Sequence, residues 1–281
     1  MPNFPESRLL YLFSESINCM ETIGRRRVLS LQVSTGKYPD FVQHIMALAK
    51  KKQSSYVCVS NVHMCIEAVD DPAFAQRVNE ADLVTPDGMP LINAIRLLYR
   101  EHYDRVPGMD LMPSLLAEIE KQAMGVYFYG GSPEMLLKTE AYLKKTYPGI
   151  TDFHFYSPPF RALDETEKSA IVTQIRASGA QIIFVVLGCP KQERWMAEHK
   201  GKIDACMLGI GGALPVMIGM QKRAPMWMQK ASLEWFYRFM QEPRRLFKRY
   251  FYTNNKFLFL LFKEWLKSRF SKEWKLKNHN K

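Results

Sequence analysis

The residue types that could do chemistry in this sequence gather where short apolar runs end. Ala81–Pro90, ADLVTPDGMP, is the centre of the pattern. Leu83 and Val84 read as the end of a buried strand, and Thr85 precedes Pro86, a position pushed out of the α region. Asp87 follows in the turn, then the permissive Gly88, then an apolar helical pattern through Met89, Ile92, Ala94, Ile95 and Leu98. A carboxylate at a strand-to-helix junction of an open α/β sheet stands at the carboxyl edge of the strands, where ligands bind. Taken alone, Asp87 reads first as a turn residue or helix cap, which is what aspartate mostly does at such a junction.

The same punctuation recurs in YGGSPE, LGCPKQE and LGIGGALP, which place Gly130, Gly188, Gly211 and Gly212 at strand ends. Glycine lets a backbone approach a ligand, and proline suits the first turn of a helix. Stacked on one sheet edge, such junctions aim helix N-termini at a common crevice suited to a diphosphate or sugar phosphate. The plainer use of these residues is to make tight strand-to-helix turns. No GxxxxGK[ST] is present, and Gly209–Leu214 misses the last small residue of the dinucleotide fingerprint. No DxD, HxxxH or HExxH occurs, so no metal is expected, and His63 and His102 read as structural. A diphosphate leaving group would then be neutralised by Arg, Lys and helix N-termini.

The elements that must position these residues follow from periodicity. Strands are expected at Val28–Val33, Tyr56–Val59, Leu83–Thr85, Val126–Tyr129, Thr151–Tyr156, Ile182–Leu187 and Ala205–Leu208. Helices alternate with them, including one opened by the capping-box pattern Asp164–Glu167. Alternating strands and helices mean a parallel sheet with right-handed crossovers, a Rossmann-like α/β fold. Five cysteines without CxxC pairing point to free thiols in a reducing compartment. No signal segment or spanning run is evident, so a cytosolic chain is expected.

Charge divides the chain. Residues 222–281 hold sixteen Lys/Arg against four Asp/Glu, while the whole chain carries +11. Residues 1–225 are therefore read as the α/β body and 226–281 as a helical, basic, aromatic appendage. Such an appendage meets something anionic: phospholipid, a phosphorylated substrate or nucleic acid.

The ordered set ADLVTPDGMP, RVPGMD (105–110), FYGGSP, Tyr147–Gly149, SPPF, GCPKQE, RAP, LEW (233–235) and EPRR (242–245) resembles the WecG/TagA/CpsF glycosyltransferases over about residues 27 to 250. The resemblance implies inverting, metal-independent transfer of a hexose-type sugar from a UDP-sugar to a polyprenyl-diphosphate-linked saccharide. No cofactor is implied beyond the donor. Asp87 matches the proposed base, taking the proton of the acceptor hydroxyl as it attacks the anomeric carbon. Ser60, Asn61, Arg105 and Gln192 match pocket positions, Arg105 toward phosphate and Gln192 toward sugar or base. Glu193 beside it reads as a first-turn acid favoured by the helix dipole. Where the family often has Gly-Gly-aromatic-Asp, this chain has Gly211-Gly212-Ala213-Leu214, so donor selectivity does not carry over. Pro107 and Met109 likewise replace hydroxyl-bearing residues.

In the appendage, the resemblance points Arg223, Arg238 and Arg245 at the lipid-linked diphosphate. Arg244, Lys248 and Arg249 join them as a basic surface for anionic headgroups, each worth about 1 kcal/mol near the membrane. The apolar stripe is expected to pack on the body over part of 226–240 and to be free for the membrane interface beyond 244, including the run Phe257–Phe262. The expected enzyme is peripheral on the cytoplasmic face of a bacterial membrane, and a homo-oligomer is compatible with it. Two rivals share these features: a nucleic-acid-binding protein using the basic aromatic tail, and a non-catalytic sugar-nucleotide-binding subunit.

Overall fold

A computed structural model describes residues 23–230 and 233–270. Its centre is a six-stranded parallel sheet with order β4-β3-β8-β7-β5-β6. The strands are β3 (Ser55–Ser60), β4 (Leu83–Pro86), β5 (Val126–Gly130), β6 (Phe153–Tyr156), β7 (Ile182–Val186) and β8 (Cys206–Gly209). Successive side chains of a strand point to opposite faces. Tyr56 and Cys58 of β3, with Ile183 and Val185 of β7, therefore build one core, and Val57, Val59, Ile182 and Phe184 build the other. Both faces being covered explains why these strands read as continuous apolar runs.

Helices fill both faces. On the first lie α2 (Val62–Asp70), α3 (Pro72–Asn79), α4 (Met89–Tyr99), α7 (Glu165–Ser178) and α8 (Lys191–His199). On the second lie α1 (Tyr38–Lys50), α5 (Gly108–Lys121), α6 (Pro133–Thr146) and the short α9 (Ala213–Met217). Three further helices close the described chain: α10 (Met226–Lys230), α11 (Glu234–Gln241) and α12 (Pro243–Phe270).

The expected first strand is instead a hairpin. β1 (Gly24–Val28) and β2 (Leu31–Thr35) pair antiparallel as a separate two-stranded sheet, turning at Leu29, which takes a left-handed φ of 53°. Val28, Leu31 and Val33 are buried, so the apolar run was real but folded back on itself. Helix α3 is also beyond the sequence expectation. Its cap is Asp71, whose side chain accepts from the amides of Ala73 and Phe74 at 3.0 and 3.1 Å, with Pro72 in the first turn.

Helix α12 lies along the body. Leu246, Thr253, Phe257, Leu261, Glu264 and Ser268 are buried at helical spacing. Tyr252 donates to Asp70 of α2 at 2.9 Å, Lys256 bonds the same carboxylate, and Arg27 of β1 pairs with Glu264 at 2.9 Å. The expectation of a stripe wholly free beyond 244 is therefore corrected. Phe257 and Leu261 belong to the core, while Leu258, Phe259 and Phe262 face outward. Over 226–240 the packing is partial, with Met228 buried and Met226, Trp227, Trp235, Phe236 and Met240 exposed. The reason is periodicity: one side of a straight helix can meet the body, whatever the length of its apolar run.

Candidate active site

The strand order changes direction at β3 and β8, which are neighbours but send their following helices to opposite faces. This is the topological switch point at which open α/β sheets hold ligands. The segments that meet there are Ser60-Asn61 after β3, Asp87-Gly88 after β4, Gly211-Gly212 after β8 and the loop before α5.

Backbone bonds lock the arrangement. The Asp87 amide donates to Ser60 O at 2.8 Å, and the Val106 amide donates to Pro86 O at 2.8 Å. The second bond lays the loop containing Arg105 along the sheet edge beside Asp87. The Gly108 amide, at the N-terminus of α5, donates to Asp87 Oδ1 at 3.0 Å. Asp87 thus does not cap its own helix α4, where Gly88 is the cap residue without a side-chain bond. It has been recruited across the site.

Asp87 is partly exposed, and its carboxyl is ringed by protein. Loss of solvent raises that carboxyl above the usual aspartate range. The Gly108 amide, Arg105 and Arg238 pull it back down, and the nearby Glu234 pushes it up. Two of those groups, Arg238 and Glu234, come from α11 in the appendage. Glu234 forms an ion pair with Arg105, 129 residues away in sequence. A β-carbon built on Gly212 would lie 2.6 Å from Arg238 Nη2, so glycine at this position lets the guanidinium rest on the β8–α9 turn.

The remaining expected residues are placed as follows. Ser60 is fully buried, and its hydroxyl has no hydrogen-bond partner among the described residues. Asn61 Oδ1 accepts from the Met64 amide at 3.2 Å, capping α2 at the edge of the site. Gln192, in the first turn of α8, accepts from the Gly188 amide at 3.1 Å and donates to Glu193 at 2.7 Å. Its amide also abuts Gly211, so Gln192, Gly188 and Gly211 form one cluster beside β8. Gly130 stands apart, at the end of β5 two strands away. A β-carbon there would fall 2.6 Å from Val186 O, so strand packing alone demands this glycine.

Arg223 pairs with Asp110 of α5. With Met109, Glu234, Arg238, Gln241 and Leu246 it lines a pocket between α5 and the appendage. Arg244 and Lys248 are exposed on α12, and Arg249 lies 5.3 Å over the Tyr250 ring. The Arg245 side chain lies outside the described part of the structure. Among the described residues, no group of three or more His, Cys, Asp and Glu side chains converges as a metal site would. None of the described helices is long and apolar enough to cross a membrane.

Glu234 and the Gly108 amide were not singled out from the sequence. Glu234 sits in the quoted LEW motif, but nothing local announces a partner before α5. Together, the sheet and its switch point define a Rossmann-like α/β protein, with the cluster around Asp87 as a candidate site at the carboxyl edge. Residues 26–271 match the family described as Glycosyl transferase WecG/TagA/CpsF family. The match spans most of the chain, which belongs to that family of glycosyltransferases.

Proposed function

We propose that this glycosyltransferase moves a hexose-type sugar, N-acetylmannosamine, its uronate or glucose, from a UDP-sugar to a polyprenyl-diphosphate-linked saccharide. The reaction would serve bacterial surface polysaccharide assembly at the cytoplasmic face of the membrane. The observation that carries this reading is the Asp87 carboxylate at the switch point, held through one oxygen by the Gly108 amide and flanked by Arg105 and Arg238.

In this mechanism the acceptor hydroxyl attacks the anomeric carbon, and its proton passes to the Asp87 oxygen that Gly108 leaves free. The bond from that carbon to UDP breaks on the opposite face, and the electron pair leaves with the β-phosphate. Inversion follows from the in-line geometry. Arg105, Arg238 and the glycine-rich turns are the groups available to balance the departing charge. Burial makes Asp87 a stronger base than a solvated aspartate.

The outward face of the appendage supports the membrane part. Phe247, Phe251, Leu258, Phe259, Phe262 and Phe270 are exposed there among Arg244, Lys248, Lys263 and Lys267. Apolar surface of that extent on one side of a protein marks a contact with something else, and interleaved cations suit anionic headgroups.

The test is transfer from a panel of UDP-sugars to a short-chain lipid-diphosphate saccharide. Asp87→Asn is expected to lower kcat by about 10²–10⁴-fold with its fold retained. Turnover equal to the unmodified protein would remove Asp87 from the chemistry and leave a sugar-nucleotide-binding role.

A further inference from the structure

An arginine placed beside a catalytic carboxylate carries a conflict. It can steady a departing phosphate, but it also stabilises the carboxylate's charge and weakens it as a base. Asp87 has two such neighbours, Arg105 from the loop before α5 and Arg238 from α11. Left to themselves, these cations would make the carboxylate the anchor of an ion pair.

We propose that Glu234 resolves this conflict as a positioning residue: reaching in from the appendage, it binds Arg105 and keeps that guanidinium from pairing with Asp87. The inference rests on the reading of Asp87 as the base and adds a residue that acts through Arg105.

The geometry supports the assignment in three ways. Glu234 is 8% exposed, so its pairing with Arg105 is little screened by solvent. Arg105 donates to Glu234 Oε2, whereas Oε1 is buried with no hydrogen-bond partner among the described residues. A carboxylate placed only to balance one end of a helix would expose that second oxygen to water. Finally, the Asp104–Gly36 and Val106–Pro86 backbone bonds fix the loop on the two sides of Arg105, so the partner it takes is set by its side chain.

Among the described residues, the charged groups acting most strongly on Asp87 are Arg105, Arg238 and Glu234. The β3 side contributes neutral Ser60 and Asn61, and the β8 side contributes neutral Gly212 beneath Arg238. Because Glu234 belongs to α11, the basicity of Asp87 depends on the appendage being seated.

The experiment follows the Asp87 carboxyl by carbon-13 NMR across pH in the full chain, with Asp87→Asn supplying the assignment. Glu234→Gln keeps a hydrogen-bond acceptor for Arg105 but removes the charge. It is expected to lower the Asp87 midpoint by about one pH unit, and Glu234→Asp to restore it. Arg105→Gln approaches the pair from its other side and is expected to raise the midpoint. An unchanged or raised midpoint in Glu234→Gln overturns the proposal. If that variant shows no melting transition, an unchanged or lowered midpoint in Arg105→Gln does so instead. In the transfer assay, the acid limb of kcat/KM should move to lower pH in Glu234→Gln, with kcat falling more than KM changes. A limb that stays in place overturns it as well. The titration requires no turnover, so an inactive wild type would defeat the sugar-transfer reading while leaving this one under test.

Discussion

Glu193 follows Gln192 in the first turn of α8 and is completely buried. One carboxyl oxygen accepts from Gln192 at 2.7 Å. Burial pushes this carboxyl up to about 7 from the ordinary glutamate value near 4.5, against the pull of Gln192 and the Cys189 thiol. Between those values the folded chain keeps a proton that the unfolded chain has lost. Stability from this group is therefore full below about pH 4.5 and falls as pH rises toward 7. The window corresponds to roughly 3 kcal/mol. Glu193→Gln is expected to remove most of that fall, as read by urea unfolding at pH 5 and pH 8. Equal slopes in the two proteins would mean that the carboxyl is charged in the fold. From the sequence, Gln192 is the site candidate through the family resemblance, and Glu193 reads as a first-turn acid. The structure joins the two: the Gln192 amide is oriented by Gly188 on one side and Glu193 on the other.

Helix α7 shows how much an element can declare about itself. Asp164 accepts from the Glu167 amide at 2.8 Å, and the Glu167 carboxylate accepts in turn from the Asp164 amide at 3.0 Å. Arg161 adds charge-assisted bonds to the same Glu167, which holds that carboxyl down to about 2. Asp164→Ala is expected to cost about 1 kcal/mol, measured as a lowered urea midpoint with unchanged slope. A loss near zero would show that the Glu167–Arg161 pair holds the helix start alone. Signals of this kind, together with the apolar period, made the parallel strands and the helix starts legible. They failed where the deciding contact was not local. The run through Val28 and Leu31 lacks the Asn-Gly or Asp-Gly signal of a tight hairpin, so its turn at Leu29 left no mark. The Asp71-Pro72 start of α3 was written in the sequence, but the apolar pattern of α2 ran up to it and hid the break. At the site, Asp87 and its strand end were legible. The pairing of Arg105 with Glu234 depends on α11 returning across the sheet edge, which no window of neighbouring residues encodes.

At the scale of the molecule, α12 has to serve two surfaces with one helix. Its inner stripe completes the core beside α2 and α4, so removing residues 226–281 would delete Phe257 and Leu261 and uncover the body residues they pack against. Loss of vesicle binding after such a truncation would confuse misfolding with a missing contact surface. Substitutions on opposite sides of the helix separate the two. Phe257→Ala is expected to destabilise the fold by about 3–5 kcal/mol. Replacing Phe251, Phe259 and Phe262 together with serine removes exposed rings only, since these residues are 65, 60 and 55% exposed. The triple variant is expected to melt with the unmodified protein but to lose most co-sedimentation with vesicles containing anionic phosphatidylglycerol. Binding that remains should weaken steeply with salt, because the interleaved Lys and Arg act through screened attraction. If the triple variant sediments as the parent does, the outward rings serve another partner and the membrane role falls. Because Arg238 and Glu234 reach the site from α11, which directly precedes α12, a surface that seats α12 on lipid also stands next to the groups around Asp87. Transfer to a lipid-linked acceptor should then fall in the triple variant, whereas transfer to a fully water-soluble acceptor should not.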